Sequence, residues 1–434
     1  MQFQVVGHKV PRLDAAKLAC GKGTFVDDFE LRGMLYGAIK WSPHAHARIT
    51  RIDTSKAEAL GGVHAILTFQ NVPRIPYTTA GQGHPEPSPY DNVVLDSVVR
   101  YVGDRVAAVA AESEEIARQA CDLIEVEYEV LPAVFDPEQA LRQGAPCLHP
   151  EADKTGIHDA RCNLAAHILA QVGDVETALR ESPQVFEQEY RVQYVQQCPL
   201  ETHVCIAYWD ENHRLTLRTS TQVPFHVRRI IARVSQLPVA RVRVIKPRIG
   251  GGFGVKQEVL IEDLAAWLCK RTGRPVRLRY SRQEEFRSSR TRHPQVLRLR
   301  TGVDRAGQIR AMEMKVVANT GAYGSHALTV QCNTGSKSLP LYRCDHQLFE
   351  AQVAYTNLPV AGAFRGYGAP QGLFAQEVMM DEIAHHLGLD PLEFRRLNLI
   401  RGGDAPPLPE ALGEAKEVFR QVILSCELAA RIRR

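Results

Sequence analysis

The stretch Arg248-Ile-Gly-Gly-Gly-Phe-Gly-Val-Lys-Gln257 constrains this chain more than any other, because four glycines within five residues leave bare backbone where side chains ordinarily stand. A tight turn needs one or two glycines for positive φ; the others imply that something comes close to the main chain. Ahead of the run, Val242, Val244 and Ile245 read as a buried strand. Behind it, EVLIEDLAAWL from Glu258 to Leu268 carries apolar residues at helical spacing. The glycines therefore fall in a strand-to-helix turn, a place that offers free N–H groups and the positive end of a helix dipole to an anionic or oxo ligand.

A chain of 434 residues is long enough for two or three domains around large cores, and 44% hydrophobic with 24% charged residues is a globular balance. A formal net charge of +4 is too small to argue for a nucleic-acid partner. The N-terminal MQFQVVGHKV lacks the apolar core of a signal peptide, and no run approaches the roughly 18 apolar residues of a membrane span. The expectation is a cytoplasmic protein with no membrane partner. Ten cysteines occur without one C-x-x-C pair, which suits small buried hydrophobes better than zinc or an iron–sulfur cluster. Any electrons this protein handles must then leave through another chain. His44 and His46 could share a metal, but no acidic or cysteine partner lies near them.

The spacing predicts an α+β fold. Strand Met34–Lys40, a short helix from Thr54, strand His64–Thr68, strand material over Val98–Ala111, a capped helix from Ser113 to Leu123 and the alternating strand Ile124–Val130 make a first unit ending near Leu131-Pro132. A Pro/Gly-bearing segment from Asp136 to Asn163 reads as a linker. A second unit follows, with strands over Val185–Val195, Val204–Trp209, Leu215–Arg218, Val242–Ile245, Val276–Tyr280, Leu297–Val303 and Met312–Ala318. Its helices are expected at Phe225–Leu237, Glu258–Arg271, Gln371–Leu387 and Leu392–Leu397, and one or two polar helices at Leu408–Arg434. Within it, Gln196-Gln-Cys-Pro-Leu-Glu-Thr-His203 and Ser220-Thr-Gln222 place polar groups at strand ends. Ala361-Gly-Ala-Phe-Arg-Gly-Tyr-Gly-Ala-Pro-Gln371 sets Arg365 and Tyr367 among three glycines ahead of a helix. An arginine held in such a turn suits anion or oxo recognition, and an aromatic beside it offers a face to a planar substrate.

GKGTFVDD, SPHAHARI, YVGDRVAAV, PLETH, STQ, GGGFG and AFRGYGAPQG, in that order and spacing, make the chain resemble the molybdenum-binding large subunit of the xanthine dehydrogenase and aldehyde oxidase family, nearest the bacterial xanthine dehydrogenase type. The similarity runs from about Val10 to about Asp404. It implies an α/β hammerhead domain over 15–132, a linker over 133–163 and the first part of a molybdopterin-binding domain over 164–434. It also implies a molybdenum–molybdopterin cofactor in this chain, with iron–sulfur and FAD groups on partner chains. By resemblance, Gln222, Phe253 and Arg365 lie near molybdenum, Gly252 and Gly254 contribute backbone to the cofactor site, and Tyr367, Gln257 and Gln331 fall at substrate-contacting positions. Gln257 and Gln331 stand where eukaryotic xanthine enzymes carry glutamate and arginine. The family's general-base glutamate belongs to a further half, so none of these residues is assigned that role; Glu201, in PLETH, reads as structural. The expected function is oxidation of purine-like N-heterocycles or aldehydes with water as oxygen source, completed by a chain supplying that half. The alternatives are a truncated non-catalytic scaffold and, more remotely, an NAD-binding dehydrogenase, for which Gly252-x-Gly254-x-x-Gln257 lacks the last glycine.

Overall fold

The computed structural model describes residues 3–81, 83 and 87–401, so the helices expected over Leu408–Arg434 lie outside the described residues. Two mixed sheets carry the fold. The larger has seven strands in the spatial order Val242–Ile245, Leu215–Thr219, Val204–Trp209, Val276–Arg279, Leu35–Trp41, Arg105–Ala111 and Val63–Thr68. Its middle joins the two sequence regions, because Leu35–Trp41 pairs in parallel with Val276–Arg279. The chain thus passes Pro132 without leaving a gap in the fold. Arg105–Ala111 is buried along almost its whole length and rich in alanine, since helix Glu114–Leu123 packs near it on one side and helix Glu262–Thr272 on the other. Ser113 starts the first of these helices by accepting from the Ile116 N–H, and Gly273 ends the second at φ +66°.

The second sheet runs Leu164–Val172, Gln347–Tyr355, Ile309–Gly321, Gln295–Val303, Gln184–Val192. Helices Ala327–Ser338, Ala369–His386 and Pro391–Asn398 pack around it, and their shared core includes Met314, Phe349, Met379, Ile383 and Phe394. A small three-stranded sheet, Val98–Val99, Ala47–Asp53 and Glu125–Val130, completes the first region.

The segment between the two regions, read as a linker, packs against both: Arg100 of the first meets the Leu148 carbonyl, and the His149 ring meets the Ala322 carbonyl of the second. Buried Asn163 accepts from the Leu148 N–H and donates to the carbonyls of Ala140 and Pro146. Arg100, fully buried, donates to the Leu148 carbonyl and to Asp96, and pairs with Glu151. A charge so placed is tolerated only because carboxylates and carbonyls take its N–H groups. His44 and His46 lie in a bend; the His46 ring meets the Pro132 carbonyl, and His44 packs edge-on to Tyr128. Among the described residues no helix is long and apolar enough to cross a membrane.

Candidate cofactor site between two glycine loops

Each sheet delivers one glycine-rich loop to a common place. The larger sheet's edge strand Val242–Ile245 leads into Gly250–Gly254, and the passage after Gln347–Tyr355 leads into Ala361–Gly368. They meet where the Arg365 N–H donates to the Phe253 carbonyl at 2.9 Å. A Cβ on Gly254 would stand 2.5 Å from the Ala363 carbonyl oxygen, and its φ of +108° excludes other residues in any case. Phe253 and Tyr367, one in each loop, both adopt positive φ of 51°, a conformation that non-glycine residues hold only where the surroundings enforce it.

Gln222 lies across the first loop. Its Oε1 accepts from the Gly254 N–H at 3.1 Å, its own N–H donates to the Lys256 carbonyl at 2.7 Å, and a Cβ on Gly252 would sit 2.5 Å from Oε1. Because Oε1 is committed to the loop, Nε2 is the part of the amide left to donate to a ligand. Glu201 closes the loop from below: one oxygen, Oε2, accepts from the Gly250 N–H at 2.8 Å and from Lys256 Nζ at 2.8 Å. Lys256 is fully buried, and burial pushes its ammonium below the ordinary value against the pull of Glu201. Glu201, read as structural from the sequence, holds the loop together in this geometry, and its partner Lys256 stands one residue before Gln257.

The second loop rests on different groups. Gln197 Nε2 donates to the Ala363 carbonyl at 2.7 Å, and the Arg292 guanidinium lies 3.9 Å from the Phe364 ring centroid while donating to the Arg365 carbonyl. The Tyr367 hydroxyl bonds His326 Nδ1 and, at 2.8 Å, Thr329 Oγ1. Behind His326, buried Glu258 accepts from Ser325 at 2.6 Å and Thr79 at 2.8 Å and pairs with Arg290. Burial pushes the Glu258 carboxyl up, but Arg290 and His326 outweigh it and hold it below its usual value. Nothing in the sequence pattern singled out this buried set.

The structure therefore brings Gln222, Gly252, Phe253, Gly254 and Arg365 together, with Tyr367 in the adjoining turn. Gln257 is half-buried at the far end of the first loop, its N–H on the Gly254 carbonyl. Gln331 does not reach this face: it is fully buried in helix Ala327–Ser338, where its Oε1 accepts from Gln295 at 2.7 Å. The expectation of a helix dipole aimed at the loop also changes. The helix begins at Glu262, not Glu258, with Glu262 and Asp263 in its first turn, and Glu262 Oε2 turns back to accept from the N–H groups of Leu260 and Ile261 just before it. The loop backbone and Gln222, rather than a helix end, are what this face presents.

Residues 157–399 match the molybdopterin cofactor-binding domain, and residues 20–132 match the aldehyde oxidase and xanthine dehydrogenase a/b hammerhead domain. The chain belongs to that family of molybdopterin-binding proteins. A probable hypoxanthine oxidase, XdhD, of Escherichia coli O157:H7 is 42% identical over 441 residues, covering 95% of this chain and 46% of that protein. The nicotinate dehydrogenase large molybdopterin subunit of Eubacterium barkeri is 32% identical over 397 residues, covering 91% of this chain and 89% of that subunit. The aldehyde oxidoreductase structure from Desulfovibrio gigas superposes with a TM-score of 0.82 at 28% identity, over 96% of this chain and 46% of that one. The chain thus spans about half the length of the first and third and nearly all of the second.

Proposed function

We propose that the paired glycine loops hold the molybdenum end of a molybdopterin cofactor and that the chain is the cofactor-cradling portion of a hydroxylase acting on purine-like N-heterocycles or aldehydes. The observation that carries this reading is the Arg365–Phe253 junction with Gln222 laid against Gly252 and Gly254. The residues fit such a group: backbone unscreened by side chains allows close approach, and the Gln222 Nε2 donors suit an oxo-type oxygen. The cofactor, when bound, supplies the redox chemistry and an activated water-derived oxygen. The chain's own residues bind and orient. Gln222 donates a hydrogen bond, Arg365 brings positive charge beside the cofactor, and Phe253 covers it. Tyr367 presents a ring to a planar substrate, and Gln257 an amide to a substrate heteroatom. Gln331 would contribute only after a rearrangement that exposes it.

The general base, the remaining cofactor contacts, and the iron–sulfur and FAD groups are assigned to regions beyond the described residues or to partner chains. The match to nearly the whole of a subunit called a large molybdopterin subunit supports completion by a second polypeptide. So does the apolar rim of the site: Leu200 is 91% exposed, Phe225 75% and Phe253 47%, a surface suited to protein contact. The test is co-production with a polypeptide equivalent to the missing half of the longer relatives. The complex should retain molybdenum and oxidise a heterocycle with an artificial electron acceptor, whereas the chain alone should not. Gln222→Ala in the complex should lower molybdenum retention. Unchanged retention and turnover in that variant would place the cofactor elsewhere.

A further inference from the structure

From Arg214 to Gln257 the chain has ten Lys and Arg residues and no Asp or Glu, in a protein whose net charge is only +4. The folding of this segment brings three of them, Arg218, Arg243 and Arg248, to one edge. Val242–Ile245 is the outermost strand of the seven-stranded sheet and pairs with Leu215–Thr219, placing Arg243 opposite Thr216 and Ile245 opposite Arg218. Lys17 and Lys22 join from the N-terminal passage, so that with Arg218 and Arg248 they rim a cavity of about 500 Å³ walled in part by Phe29 and Pro247. Arg218 lies 4.4 Å from the Phe29 ring centroid. Arg243, on the Ile245 face of the strand, extends the rim. Of these cations only Arg248 has a carboxylate partner among the described residues, Asp14, which also pairs with Arg12.

We propose that this basic edge docks an acidic segment of a partner protein, with an apolar side chain of that segment seated in the cavity. The inference rests on the reading above that the chain works in an assembly of several polypeptides, and it names the chemistry of one contact. Three features favour a peptide over a nucleic acid. The cations surround a pocket that Leu13, Phe29, Ile245 and Pro247 make partly apolar instead of forming a flat strip, the pocket is too small for stacked bases along a backbone groove, and the strand beside it is the outermost of its sheet, where an extended segment can lie alongside. The position also follows from sequence. Arg248 stands two residues before Gly250, so a protein docked here borders the cofactor loop.

The experiment measures binding of the full chain to a fluorescent peptide of Asp and Glu around one central Leu, and to an oligothymidylate of equal charge. It needs neither cofactor nor turnover, so its outcome is separate from that of the functional reading. The peptide should bind more tightly than the oligonucleotide and weaken at least about tenfold from low to physiological salt. Lys17→Glu, Lys22→Glu and Arg243→Glu together, all at exposed positions, should abolish most of the binding. Replacing the central Leu by Ser should weaken it several-fold. Reversal of the exposed Arg142, Arg161 and Arg180, which changes net charge equally, should leave it unaltered. Equal loss in that control, unaltered binding in the first triple variant, or preference for the oligonucleotide would overturn the proposal.

Discussion

The loop Arg248–Gln257 is closed by a buried ion pair, whereas Ala361–Gln371 is held by neutral side-chain hydrogen bonds, ring contacts and the half-buried Arg292, with no ion pair among the described residues, although the two loops touch at a single backbone bond. In the first, one carboxylate oxygen of Glu201 ties the loop's entry at Gly250 to its exit at Lys256. In the second, Gln197 holds the Ala363 carbonyl while His326 and Thr329 hold the Tyr367 hydroxyl, and losing any one of these bonds strands no charge. A buried ion pair is costly to break on one side, while a single neutral bond is worth about 0.5–1.5 kcal/mol. The first loop is therefore all-or-none in shape; the second is adjustable in small steps. That division suits a rigid cofactor cradle facing a tunable substrate wall.

The largest effect should come from unbalancing the first loop. Glu201→Gln leaves the fully buried Lys256 ammonium without its counter-charge, and about 3–5 kcal/mol of stability should be lost. Because Glu201 keeps some solvent contact, the lower end of that range is expected. Lys256→Met added to Glu201→Gln should restore much of it, since the stranded charge is then gone. Urea unfolding of both variants measures this, and a double variant no better than the single one would mean that the Gly250 contact, not the charge, closes the loop.

Next in size is Gly254→Ala, where the new methyl meets the Ala363 carbonyl oxygen and the residue must hold φ of +108°. Backbone strain alone should cost about 1–3 kcal/mol. The second loop should also lose order, because the Arg365–Phe253 bond is the seam between them. Amide exchange at Arg365 would report it, and a protected Arg365 N–H in the variant would show that the loops are independent.

Acid should act on the second loop's side through a buried histidine. His293, whose carbonyl accepts from Gln371 where the loop becomes helix, is fully buried, and burial lowers its imidazole to about 3 from an ordinary 6.5. Between those values the unfolded chain binds a proton that the folded chain refuses. The contribution is thus complete above pH 6.5 and is lost as pH falls toward 3. His293→Phe should flatten that part of the stability profile; an unchanged slope would assign the acid loss to other groups.

Much of this arrangement was legible because it is written in local patterns. The glycine runs, the Ser113 cap, the strand Val242–Ile245 and Gln222 at a strand end all lie near where the spacing put them. What was not legible depends on distant partners. Helix Ala327–Ser338, ALTVQCNTGSKS, is poor in strong helix formers; Thr334 and Ser338 return hydroxyl bonds to carbonyls one turn back, and Gly335 gives room to Phe349. Burial between the second sheet and helix Ala369–His386 overrides propensity there, and it draws Gln331 inward with it. Glu258 left the expected helix for the same reason: Arg290, Thr79 and Ser325 supply it with partners that no sequence window contains.

The smallest stability effects, and the sharpest separation of roles, lie within the second loop itself. Tyr367→Phe keeps the ring but removes bonds to His326 and Thr329, so it should cost about 1 kcal/mol. Arg365 differs: its side chain is exposed, and its structural bonds run through its backbone N–H and carbonyl, which Arg365→Ala retains. Stability should stay within about 0.5 kcal/mol. If the guanidinium lies beside a bound cofactor as proposed, the same substitution in the completed assembly should nonetheless reduce molybdenum retention, and Arg365→Lys should restore part of it because charge returns without the planar fork. Metal content at equal folded protein separates the two contributions. Loss of stability together with loss of metal would make Arg365 a support of the loop, whereas loss of metal alone would assign it to the ligand and leave Tyr367, bonded to His326 and Thr329, as the residue that holds the loop's shape.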